Sequence, residues 1–157
     1  MKKNLLTKTL YLAVITLLAV SLLLTGCKPT VDTEGTATFV IANDEGIEVF
    51  EVPLDALENA TGALDALEYL KNQGKLDYTC QNGGYGAFLT EVGHVKEDGS
   101  KGIYIGLWTS VAADIDTSIH ATTKQYNGVT LTSSGKGISS MSLTDGCIIY
   151  ISEIVYG

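Results

Sequence analysis

The apolar run from Leu10 to Leu24 constrains this chain before anything else does. It holds 15 residues and follows three lysines, Lys2, Lys3 and Lys8. A helix needs about 20 apolar residues to span a bilayer, so the run is short for a permanent anchor. Positive charge followed by a short apolar core is the order of an export signal, which is removed from the mature protein. Setting residues 1–26 aside leaves 131 residues, enough for one compact core and too few for two.

The charge of that remainder excludes one class of partner. The sequence has no arginine, and beyond Cys27 seven lysines face eighteen acids, a net charge of −11. Phosphate backbones are held by clusters of cations, so no nucleic-acid role is expected. Past Cys27 only Cys80 and Cys147 remain. They form one disulfide if the compartment is oxidising, or two small apolar positions on strands; spacing does not choose between them.

The leader ends in Leu24-Thr25-Gly26-Cys27. This resembles the lipobox of bacterial lipoproteins, an aliphatic residue and two small ones before a cysteine. The resemblance implies a diacylglycerol on the Cys27 thiol, cleavage just before it, and acylation of the new amino terminus. Each buried CH₂ contributes about 0.8 kcal/mol, so two or three chains hold a protein stably on a membrane where one does not. The expected location is the extracytoplasmic face of the cell membrane, with residues 27–35 (Lys28 to Gly35, KPTVDTEG) as a flexible tether.

The body is read as residues 36–157. Alternation in Thr36–Ile41 and Ile47–Val52, joined through Asn43-Asp44-Glu45-Gly46, predicts a hairpin that Pro53 ends. Thr61 as N-cap, then Ala63, Leu64, Leu67 and Leu70, with Gly74 as the stop, predict a helix over 62–73. Its acids lie early and Lys71 late, in agreement with the helix dipole. Strands are expected at Tyr78–Gln81, Gly86–Val92 and Gly102–Thr109. Ala112–Gly137 is read as a polar excursion with at most a short hairpin or helical turn. Cys147–Ile151 is apolar on both faces, as a central strand is. The order predicts an α+β fold, one helix packed on a mixed sheet, for which a β-grasp-like arrangement suffices.

That order, with Thr61-Gly62-Ala63-Leu64-Asp65-Ala66-Leu67, the Tyr78 and Tyr85 region, the Tyr104–Trp108 strand and Leu143-Thr144-Asp145-Gly146, resembles the transcobalamin-like C-terminal domain. The resemblance covers most of 36–157. It implies a β-grasp-like fold and, by way of the vertebrate cobalamin carriers, cobalamin or another corrinoid as a ligand rather than a cofactor. Here a long polar segment separates Trp108 from Asn127-Gly128, where the family often has the turn close by.

Tyr104 and Trp108 share one strand face on either side of Gly106, each step of two residues covering about 6 to 7 Å. They either seat a planar ring, with Tyr85 adding a contact, or form a second core face. Asp114-Ile115-Asp116-Thr117-Ser118 alternates oxygen side chains as calcium loops do, but it lacks the turn glycine and closing glutamate, and otherwise reads as a solvated loop. His94 and His120 stand alone, so no metal site is expected. Ser133-Ser134-Gly135-Lys136-Gly137 lacks phosphate-loop spacing, and no serine or cysteine sits in a nucleophile elbow. The expectation is a non-enzymatic, surface-tethered module that captures a small molecule for a membrane transporter. The alternative is an envelope-protein interaction or adhesion module acting through Ala112–Gly137.

Overall fold

The computed structural model describes residues 28–83 and 86–156. The leader, the lipidation candidate Cys27 and the ligand candidate Tyr85 lie outside the described residues. Among the described residues, no helix is long and apolar enough to cross a membrane.

The fold is mostly β with one α-helix, and its strands form two sheets. β1 (Thr36–Asn43) and β2 (Gly46–Pro53) make the expected hairpin, in unbroken antiparallel register from Thr36 opposite Pro53 to Asn43 opposite Gly46. Helix α1 (Ala63–Asn72) follows. β3 (Tyr78–Gly83), β4 (Gly86–Val92) and the short β5 (Val95–Lys96) form a separate three-stranded antiparallel sheet. β6 (Ile103–Thr109), β7 (Thr123–Tyr126), β8 (Val129–Ser133) and β9 (Ile148–Val155) join the first hairpin. The large sheet runs β2-β1-β9-β6-β8-β7. β1 and β9 are parallel and the other pairs antiparallel, so the sheet is mixed.

The C-terminal strand is central, as its sequence requires: Ile149 and Ile151 are fully buried between β1 and β6. One face of the large sheet carries Phe39, Ile41, Ile149 and Ile151. Both α1, through Leu67 and Leu70, and the small sheet, through Leu89 and Val92, pack into the same core. The single-sheet arrangement expected from sequence is therefore corrected. β3 to β5 are not further strands of the main sheet but part of the layer covering it. Their short alternating patterns are those of any strand, and which sheet they join depends on distant packing.

α1 starts one residue later and stops one earlier than expected. Its entry is fixed by Asp65, whose carboxylate accepts from the backbone N–H groups of Thr61 and Gly62, at 2.6 and 3.2 Å. Thr61 thus donates to Asp65 instead of capping with its own oxygen. Gly74, at φ +66, takes the left-handed conformation that ends the helix, its N–H bonded to Lys71 C=O.

Within the segment expected as a tether, Thr30 to Asp32 are held against the body. Thr30 C=O accepts from Leu143 N–H, Asp32 N–H donates to Leu143 C=O, and Asp32 Oδ2 accepts from Asp145 N–H. Val31 bridges Leu143 as a short parallel strand. A polar, aperiodic composition describes a segment that cannot fold alone, yet this one is held by backbone groups that the 142–145 turn leaves open.

Candidate functional site

β6 positions the site because it is paired fully on one side only. β9 follows it from Ile103 to Thr109, whereas β8 reaches only Trp108 and Thr109. Tyr156 N–H bonds to Gly102 C=O and Ser110 N–H to Ile148 C=O, so even-numbered residues of β6 face β9 and odd-numbered ones face away. Of the odd residues, Ile103 is bridged by Asp98, and Leu107 C=O accepts from Ser134 N–H at 2.7 Å. Between them the N–H and C=O of Ile105 and the N–H of Leu107 turn toward a gap that no strand among the described residues fills.

That gap opens into a notch of about 1200 Å³. Phe88 of β4, the β7–β8 hairpin, the 133–137 turn, Ile154 and Tyr156 line it. Trp108 and Lys124 both line it. The notch is somewhat larger than the clefts of about 300–1,000 Å³ that hold drug-sized ligands, and like them it is partly apolar with a few placed polar groups.

The β7–β8 hairpin is made by Asn127 and Gly128, both at positive φ (48° and 80°), the conformation a two-residue hairpin turn demands. It brings Lys124 over Trp108, with the ammonium 4.4 Å from the indole centre and 5.3 Å from the Tyr150 ring. Tyr126 meets Tyr150 edge-on at 6.1 Å, and Tyr150 meets Trp108 at 6.3 Å. Burial pushes the Lys124 ammonium below its usual pKa and raises the Tyr150 phenol, the latter with help from Tyr126. The ring faces offset part of the lysine's lost hydration, by about 0.5–1 kcal/mol at such a site.

Trp108 is 3 % exposed and donates its indole N–H to Thr122 Oγ1 at 3.0 Å. Tyr104 is 42 % exposed and packs edge-on against Tyr156 at 5.8 Å. The flat gap expected between them over Gly106 is filled. A Cβ on Gly106 would lie 2.5 Å from Trp108 Cη2 and 2.4 Å from Ile154 Cδ1. The glycine lets the indole lie down along its own strand, and a planar ligand meets Trp108 only where Lys124 now sits. Trp108 lines the notch and Tyr104 supports it through Tyr156; the two do not make one clamp.

Asp114 is fully buried, not part of a solvated loop. Its carboxylate takes the Lys136 ammonium at 2.6 Å and both the N–H and hydroxyl of Ser142. Asp116, two residues on, turns to the N–H and hydroxyl of Ser118. The alternating oxygens expected as a calcium loop are thus divided between core and surface. Among the described residues no three His, Cys, Asp or Glu side chains gather around a common point. Cys80 and Cys147 are free thiols, the second buried with its pKa raised by that burial.

Lys124, Tyr150, Tyr156 and Phe88 were not singled out by sequence reasoning. For Lys124 the signal was present: Asn127-Gly128 between two alternating runs marks a hairpin that puts Lys124 and Tyr126 on one face.

No protein-family model matches the chain, and no curated protein matches it significantly. Solved structures do. One is a candidate metal-binding protein from Ruminococcus gnavus, with a TM-score of 0.50 and 18 % identity over 79 % of this chain and 100 % of that one. Another is haptocorrin in complex with Cbi, with a TM-score of 0.51 and 13 % identity over 78 % of this chain and 25 % of that one. At these identities the likeness is one of fold. The match spans a quarter of the haptocorrin chain.

Proposed function

We propose that this chain is a lipid-anchored, surface-exposed, non-enzymatic module that captures a small molecule in the notch beside β6, with a corrinoid as the first candidate. The observation that carries this reading is the notch itself, where the N–H and C=O of Ile105 and the N–H of Leu107, without a strand partner among the described residues, adjoin an aromatic and cationic wall. A ligand carrying amides finds donors and an acceptor there, and its apolar plane finds Trp108 once Lys124 swings aside. The fold shared with haptocorrin, solved with Cbi, supports this choice of candidate. A transcobalamin-like, β-grasp-like assignment is supported by the hairpin, the single helix and the parallel pairing of β1 with β9.

The purified protein should co-elute with cobalamin or cobinamide and shift their visible bands, and Trp108→Ala should abolish both effects. Free elution of both corrinoids would remove them as candidates. The anchor rests on Cys27 and the leader before it. A glyceride on the N-terminal cysteine of the cell-made protein, and release from membranes on Cys27→Ser, are the expected results. Delivery of the captured molecule to a membrane transporter is part of this proposal.

A second reading, docking to an envelope protein, is favoured by Ile119, 95 % exposed in the 112–122 segment. Deleting the whole segment would remove buried Asp114, so Ile119→Ser is the cleaner test. It should lower partner pull-down from envelope extracts while leaving corrinoid binding unchanged.

A further inference from the structure

β2 is one of the two outermost strands of the large sheet, β7 being the other. Leu54 N–H donates to Gly35 C=O in continuation of the β1–β2 ladder, which fixes its phase. Even-numbered residues of β2 bond to β1, so Ile47, Val49 and Glu51 turn their N–H and C=O outward. No strand among the described residues takes these groups. Natural edge strands are blunted by bulges, prolines and charged side chains, and of these β2 relies on its glutamates, Glu48 and Glu51. β2 has proline only at its last position, Pro53, and no break of register with β1. Ile47 and Val49 are 61 % and 48 % exposed, and a depression of about 600 Å³ adjoins Val49, Phe50 and Glu51.

Charge decides what fits. The turn and strand carry Asp44, Glu45, Glu48 and Glu51, of which only Glu48 has a described partner, His94 Nδ1 at 3.3 Å. A second copy added at this edge brings the same four carboxylates again, on a body that already carries a large excess of acids, whereas a cationic segment offsets them. Lys75 lines the same depression as Glu51, while Glu48 lies on the other face of the strand, beside His94. We propose that the β2 edge accepts an extended, lysine- or arginine-bearing segment of a partner protein as an added strand. Main-chain bonds to Ile47, Val49 and Glu51 supply affinity, and the carboxylates of Glu51 and of the Asp44-Glu45 turn supply selectivity. This face is separate from the notch, and the proposal does not rest on corrinoid binding.

The probe is the peptide acetyl-Lys-Val-Lys-Val-Lys-Val-Lys-amide, with binding read by fluorescence anisotropy and amide exchange read by NMR. Binding should slow exchange at Ile47, Val49 and Glu51 at least tenfold, while Glu48 and Phe50, already bonded to β1, change little. Replacing the peptide's lysines by glutamates, or N-methylating alternate residues, should weaken binding at least tenfold. Val49→Pro removes an N–H that β1 does not use and should do the same, its thermal transition reporting that the fold is kept. Undiminished binding of the N-methylated peptide, protection confined to other residues, no binding of the lysine peptide, or the same protection arising by self-association without peptide would each overturn the proposal.

Discussion

Asp114 and Lys136 meet at 2.6 Å although 22 positions separate them, and the carboxylate has no exposure to water while the ammonium keeps some. This pair ties the 112–122 segment to the 134–142 turn, and so fixes the wall of the notch. The asymmetry in burial predicts an order of effects. Lys136→Met leaves a carboxylate buried without its cation and should cost roughly 3–5 kcal/mol, whereas in Asp114→Asn the lysine can still turn to water and the loss should be smaller. Thermal or urea unfolding of both variants measures the order, and the reverse order would contradict this account of the clasp.

Gly106→Ala should destabilise the protein by about 1–3 kcal/mol, since its methyl would press on the Trp108 ring and Ile154. Because the sequence has one tryptophan, its fluorescence reports the displacement directly. Emission should shift to longer wavelength as the indole lifts from the strand, and an unchanged spectrum would show that no lift occurs.

The far end of the β6 gap is closed by Asp98. Hydrogen bonds from Ser100, then from Lys101, hold its carboxyl at a pKa of about 2, below the usual 3.8. A lowered carboxylate pKa contributes stability that is present above the unfolded value and lost as pH falls through the folded one. The 98–103 turn should therefore hold at pH 4 and loosen near pH 2. An NMR titration of the Asp98 carboxyl should give a midpoint near 2, rising toward 3.8 in Ser100→Ala.

Cys147 is buried and its thiol is pushed above the usual range by that burial. Thiolate is the reactive form, so at pH 8 iodoacetamide should modify Cys80, on the partly exposed β3, well before Cys147. Peptide mapping after brief alkylation checks this, and equal labelling would contradict the burial.

The first hairpin, α1 and the central C-terminal strand were legible because their signals are local: alternation, a helical stripe with its stop at Gly74, and an apolar run on both faces. What was not legible depended on distant partners. Trp108 and Tyr104 share a strand face, yet the β7–β8 hairpin buries one and leaves the other exposed. Thr30–Asp32 looks like a linker and is held only because the 142–145 turn has free backbone groups to meet it. Asp114 resembles a loop carboxylate until Lys136 arrives from 22 residues away. The open edge of β6 follows from where β8 stops, and no pattern within β6 encodes that.

The most direct test of the notch as a binding site is the indole N–H of Trp108, a unique signal in the nitrogen-edited NMR spectrum because the chain has one tryptophan. On titration with cobinamide, that signal should move in a saturable way, together with the amides of Ile105 and Leu107. If all three stay fixed at saturating cobinamide concentrations, the notch is not its site and the proposed capture of a corrinoid there fails.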